Sequence, residues 1–177
     1  MSAEENKAIV RRWFEDLFNG GNLDVADEIV APNHVTHDPA LPDILSGPEG
    51  QKQVVSLYRG AFPDAHITVE HQIAAGNEVV TRWTGHGTHQ GELMGVAPTG
   101  NRVEVSGITI DRVSGGKVEE TWTNYDTMGM LRQIGAITQL GSAPHGKGGI
   151  TPEEISGRTH AEPPPQGGIS PEEISGG

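Results

Sequence analysis

Apolar residues recur at helical spacing through the first third of the chain and at a spacing of two afterwards. Ile9, Val10, Trp13, Phe14, Leu17 and Phe18 form one helical stripe. Ser2 with Glu5 is a capping box that starts this helix, and Gly20-Gly21 stops it. Asn22 caps a second, short helix carrying Leu23, Ala26, Ile29 and Val30, which Pro32 ends. Residues 33–43 read as a loop or short strand. Ser46 with Glu49 repeats the capping box, with Pro48 near the first turn. Val54, Val55, Tyr58 and Phe62 mark the buried side of that third helix, and Pro63 terminates it.

From there Ala65, Ile67, Val69, His71 and Ile73 alternate with His66, Thr68, Glu70 and Gln72, the period of a strand. Gly76-Asn77 is a turn, and residues 78–89 make a second strand. Residues 91–100 are a loop and 102–113 a third strand. Ser114-Gly115-Gly116 is a tight turn and 117–126 a fourth strand. Residues 128–137 read as a short closing helix. Helices first and antiparallel strands later predict an α+β fold, with a curved sheet wrapped over about three helices. Its concave face is the natural place for a pocket.

The pattern changes after residue 140. Half of the 12 prolines lie there, and two near-identical segments, G-G-I-T-P-E-E-I-S-G at 148–157 and G-G-I-S-P-E-E-I-S-G at 167–176, flank R-T-H-A-E-P-P-P-Q. The expectation is a domain over 1–140 and a flexible, disordered tail over 141–177. Each repeat compresses a helix start: Thr151 or Ser170 as cap, a proline next, Glu154 or Glu173 as the reciprocal partner. Ile150 with Ile155, and Ile169 with Ile174, stand where a hydrophobic staple closes. One turn of helix does not persist alone in water, so such segments order against a partner, and two copies on a spacer suit bivalent docking. A duplicated solvated tail and a substrate for a modifying enzyme are the other readings.

Composition narrows the partners. The net charge of −12 leaves no surplus of Lys and Arg for a phosphate backbone or an anionic membrane surface. With no cysteine, disulfides and thiolate chemistry are excluded. There is no basic-then-apolar leader and no long apolar run, so a cytoplasmic protein is expected.

The candidate chemistry sits near the end of the fourth strand, in E-E-T-W-T-N-Y-D. On a regular strand Trp122, Asn124 and Asp126 share one face. A ring, an amide and a carboxylate together suit proton transfer on a carbon acid. The same residues also suit a core Trp with Asn and Asp ending the strand. In H-V-T-H-D-P, His34 and Asp38 share a face if the segment is extended, and His37 opposes them. Without a third committed ligand these histidines predict no metal site. His86 and His89 face opposite ways, so at most one lines a pocket. No P-loop and no G-x-S-x-G elbow is present.

N-K-A-I-V-R-R-W-F-E-D-L-F-N-G-G-N-L-D, H-D-P, G-P-E-G, A-F-P-D, G-T-H-Q-G-E-L-M-G-V-A-P-T-G and V-E-E-T-W-T-N-Y-D-T-M-G-M-L-R-Q-I-G occur in this order between about residues 4 and 138. Together they resemble the SnoaL-like polyketide cyclase (ester cyclase) family of the ketosteroid-isomerase-like superfamily. The resemblance implies a cone-like α+β barrel, a homodimer formed through the sheets, and cofactor-free intramolecular aldol ring closure on a small apolar carbonyl compound. It implies Asp126 as acid/base and His37 as the group polarising a carbonyl, with Trp122, Asn124, Trp83, His89 and His34 binding substrate. Many superfamily members carry their acid just after the strand Trp, where this chain has Thr123. The alternative is a non-catalytic dimeric barrel, a scaffold or leader whose tail is docked on or modified by a partner protein.

Overall fold

A computed structural model describes residues 2–137. The tail repeats, and the partner-binding residues expected among them, lie outside those residues.

The first helix starts as its sequence requires. The Ser2 hydroxyl accepts from the Glu5 N–H at 3.2 Å, and the Glu5 carboxylate accepts from the Ser2 N–H at 2.7 Å. Two otherwise unpaired N–H groups are thereby satisfied at the head of α1 (Ala3–Arg12). The helix then widens into a π-helical segment, Trp13–Asn19. Gly20 N–H reaches back five residues to the Glu15 carbonyl at 2.9 Å. Arg59 satisfies the freed carbonyls of Phe18 and Asn19 at 3.1 and 3.3 Å. The apolar stripe gives no warning of this widening, because Phe14, Leu17 and Phe18 are buried in either geometry.

The structure corrects two expectations. The second helix, α2 (Val25–Ile29), ends before Pro32, and Val30 opens a strand, β1 (Val30–His37). Pro32 sits inside β1 at an irregularity between Val30 and Val35. An edge strand tolerates a residue that cannot donate to the ladder. In α3 (Gly47–Ala61) Ser46 caps by position, but its hydroxyl makes no capping bond. Glu49 pairs instead with Lys52 at 2.8 Å.

The remaining strands are β2 (His66–Ala75), β3 (Glu78–Thr88), β4 (Arg102–Ser114) and β5 (Lys117–Tyr125). They form one curved sheet in the order β1-β5-β4-β3-β2. β1 runs parallel to β5 and every other pair is antiparallel, so the sheet is mixed where an antiparallel one was expected. The β4–β5 hairpin turns through Gly115 and Gly116, both at positive φ, as a two-residue turn demands. A last helix, α4 (Thr127–Gln133), packs on β4. A bulge at Glu70 in β2 reverses the alternation expected there. Ile73 is consequently 57% exposed, and Gln72 turns to donate to Thr81 Oγ1 at 3.1 Å.

The α+β architecture and the curved sheet over helices are as the sequence indicates. α1 and the π segment lie along β2, and α3 lies on β1. Leu17, Ile29, Val55 and Val79 fill the layer between them. Each such fully buried side chain contributes about 2 kcal/mol relative to exposure. Among the described residues no helix is long and apolar enough to cross a membrane.

Candidate active site

A single extra residue decides which side chains of β5 face inwards. Leaving the Gly115-Gly116 turn, Ser114 pairs with Lys117 and Val113 with Val118. The next pair is Arg112 with Glu120, so Glu119 is passed over. A β-bulge of this kind moves every later side chain to the opposite face. Without it Trp122 and Asn124 would stand beside Thr109 and Gly107 on the inner face. With it, Thr121 pairs with Asp111, Thr123 with Thr109 and Tyr125 with Gly107.

The inner face and the helices enclose a mostly apolar cavity of about 140 Å³. One wall is aromatic. The π segment brings residues five apart onto one side, so Trp13 and Phe18 stack at 5.7 Å, and both line the cavity. Trp83 forms part of the opposite wall, its ring lying over Gly107. A Cβ at 107 would stand 2.4 Å from the indole, so only glycine allows this approach.

The polar groups of the wall are organised in short chains. Trp13 Nε1–H donates to Gln51 Oε1 at 2.7 Å, which turns the amide so that Nε2 donates to Thr36 Oγ1 at 2.8 Å. Trp83 Nε1–H donates to Thr109 Oγ1 at 3.0 Å, and Thr109 and Thr123 share a bond of 3.1 Å. Each chain ends with one hydroxyl proton to spare, available to a ligand oxygen. The Tyr58 and Tyr125 hydroxyls bond each other at 2.5 Å near Asp38. Burial raises both phenols, Tyr125 to about 12, so they are donors across the neutral range.

Two carboxyls line the cavity. Asp111 is 6% exposed, and burial pushes its carboxyl up to about 7, against the opposing bond from Thr121 Oγ1 at 2.7 Å. Asp38 is also raised by burial. The Ala40 N–H at 2.8 Å, the Tyr125 hydroxyl and the Leu41 N–H pull it back.

The expected site residues fall into separate places. Trp83 lines the cavity. His34 on β1 and Asp38 just past its end share the inner side as parity required, but His34 lies behind the wall, its Nε2 at 2.9 Å from Thr121 Oγ1. His37 is on the outer side, stacked on Trp122 at 5.2 Å and bonded to Glu120 at 2.8 Å. With Asn124 these two border a shallow outer groove of about 440 Å³, so the expectation that Trp122 and Asn124 line the enclosed pocket is corrected by the bulge. Asp126 is exposed and caps α4, its Oδ1 accepting from the Gly129 N–H at 2.7 Å; it does not line the cavity. His89 is buried away from the cavity, with Nδ1 at 3.0 Å from Thr99 Oγ1 and its ring against Phe62.

The cavity carboxyl that sequence reasoning missed, Asp111, had one legible signal. Val103, Val105, Thr109, Asp111 and Val113 occupy the same parity of a strand whose other positions include Arg102, Glu104, Ser106 and Arg112. A carboxylate at core parity is costly and marks a buried acid. Among the described residues, no group of three or more His, Asp or Glu converges as metal ligands.

Residues 8–134 match the family model of the SnoaL-like polyketide cyclases. The chain belongs to that family. It is 31% identical over 134 residues to the aklanonic acid methyl ester cyclase DnrD of Streptomyces peucetius, covering 72% of this chain and 88% of that one. It is 29% identical over 119 residues to the nogalonic acid methyl ester cyclase of Streptomyces nogalater, covering 67% and 89%. Among solved structures, IdmH from Streptomyces antibioticus superposes with a TM-score of 0.65 at 33% identity, covering 73% of this chain and 98% of its own. Membership in the SnoaL-like family supports a cyclase function.

Proposed function

We propose that this SnoaL-like protein closes a ring by intramolecular aldol addition on an apolar carbonyl compound, with Asp111 as acid/base. The observation that carries the reading is a buried carboxyl on the wall of an apolar cavity, held near pH 7 by burial. A group with that midpoint is divided between its two forms at neutral pH, so it both takes and returns a proton. Ionised Asp111 removes the proton from a carbon beside a carbonyl. The enolate oxygen accepts from a wall hydroxyl, for which Thr36 and the Thr109–Thr123 pair have protons to spare. The enolate carbon attacks a second carbonyl, forming the ring bond, and the new alkoxide takes the proton back from Asp111. The product is an isomer of the substrate, and no oxidant or co-reactant enters the balance. The enclosed volume suits one ring, so the reacting end of a larger substrate occupies it.

The test is turnover of aklanonic acid methyl ester and of smaller β-keto esters bearing a second carbonyl, in deuterated water. Proton NMR separates exchange at the acidic carbon from ring closure. Asp111→Asn should slow both by roughly 100-fold or more with the fold retained. An Asp111→Asn protein that turns over at the parent rate removes Asp111 from the mechanism.

A further inference from the structure

His34 touches no ligand space, yet it is tied to the cavity acid through one hydroxyl. Its ring is 1% exposed on β1. Nε2 lies 2.9 Å from Thr121 Oγ1, and Thr121 Oγ1 lies 2.7 Å from Asp111 Oδ1. His34 Nδ1 is buried with no partner among the described residues. Asp111 Oδ2 also has no protein partner among them, yet it is not one of the sealed orphan atoms, and Asp111 lines the cavity.

A hydroxyl has one proton to give. If Thr121 gives it to Asp111, Thr121 can only accept from His34, and the imidazole must carry its hydrogen on Nε2. The other tautomer sets Thr121 between two acceptors whenever Asp111 is ionised, and one of them loses its donor in a buried site. We infer that His34 is a positioning residue: its Nε2–H locks the Thr121 hydroxyl onto Asp111 Oδ1, so the proton Asp111 exchanges is held on Oδ2, the oxygen open to the cavity. The inference rests on Asp111 being the acid/base.

The lock works with a neutral imidazole. Burial, reinforced by His37 and opposed by Glu120, lowers His34 to about 4, so the ring is uncharged at neutral pH. The other ionisable groups lining the cavity are Asp38, Tyr58, Tyr125, His66 and His86. None of them makes a hydrogen bond to the Asp111 carboxyl.

The experiment uses the full chain labelled with nitrogen-15 in histidine and carbon-13 in the aspartate carboxyls. Asp111→Asn assigns the Asp111 signal. Long-range proton–nitrogen NMR should show His34 with hydrogen on Nε2 and a bare Nδ1 from pH 6 to 8. His34→Leu, which has no donor, should raise the Asp111 midpoint by about one pH unit. His34→Gln, which keeps an N–H, should hold it near the parent value. A merely structural histidine would alter stability in both variants and leave the midpoint alone. Hydrogen on Nδ1, or an Asp111 midpoint indifferent to His34→Leu, overturns the inference. An Asp111 midpoint in the ordinary carboxylate range in the parent protein instead sinks the acid/base reading on which it rests.

Discussion

Replacing Asp111 by Asn should change how the stability of this protein depends on pH, and the sign follows from the burial of the carboxyl. In the unfolded chain the group titrates at its ordinary value of 3.8, and in the folded chain at about 7. Between those values the native state holds a proton that the unfolded state has lost, so stability falls as pH rises. The contribution is full below about 3.8, declines across the window and is gone above about 7, a total of about 4 kcal/mol. Asn resembles the protonated carboxyl in shape and charge and does not titrate. His34 moves the other way. Its midpoint falls from 6.5 to about 4, so its contribution is complete above 6.5 and is lost as pH falls through 4. In the parent protein the two trends oppose each other over most of the same window. In Asp111→Asn the histidine trend is unmasked, and stability should climb from pH 4 to 6.5 by about 3 kcal/mol. Urea unfolding followed by tryptophan fluorescence, at intervals from pH 4 to 8, gives both curves. The parent-minus-variant difference should fall by about 4 kcal/mol across that range, the parent becoming the less stable of the two. A difference constant to within about 1 kcal/mol would refute the argument, because it would mean that Asp111 titrates alike in both states.

Two further substitutions probe the walls and the cap. Gly107→Ala sets a methyl group 2.4 Å from the Trp83 ring, which must move and strain its bond to Thr109. The expected loss is about 1–3 kcal/mol in a urea titration, and an unchanged midpoint would show that the indole is not held there. Asp126→Ala removes the cap of α4 and should cost about 1 kcal/mol. Its kcat should match the parent's, and a loss of 100-fold would return Asp126 to the chemistry.

The helices and strands were legible because their signals are local. Ser2 and Glu5 cap reciprocally three residues apart, the stripe from Val10 to Phe18 repeats within single turns, and Gly115-Gly116 closes a hairpin between adjacent strands. The candidate site was legible only in part. The shared inner side of His34 and Asp38 followed from strand parity, and so did the separation of His37 from them. The β5 face was misread because parity counts faithfully only along an unbroken ladder. One skipped residue, Glu119, exchanges Trp122 and Asn124 for Thr121 and Thr123.

By itself, then, the chain determined the element order, the α+β class and the family, since these rest on spacing between near neighbours. The tertiary structure decided where the chemistry lies. Asp111 becomes a candidate acid only because Trp83, Thr121 and the aromatic π segment, distant in sequence, line one cavity with it and the packed sheet buries it. The depth of a side chain, and with it the free energy of ionisation, belongs to the packed assembly of β4, β5 and the π segment and to no one of them alone.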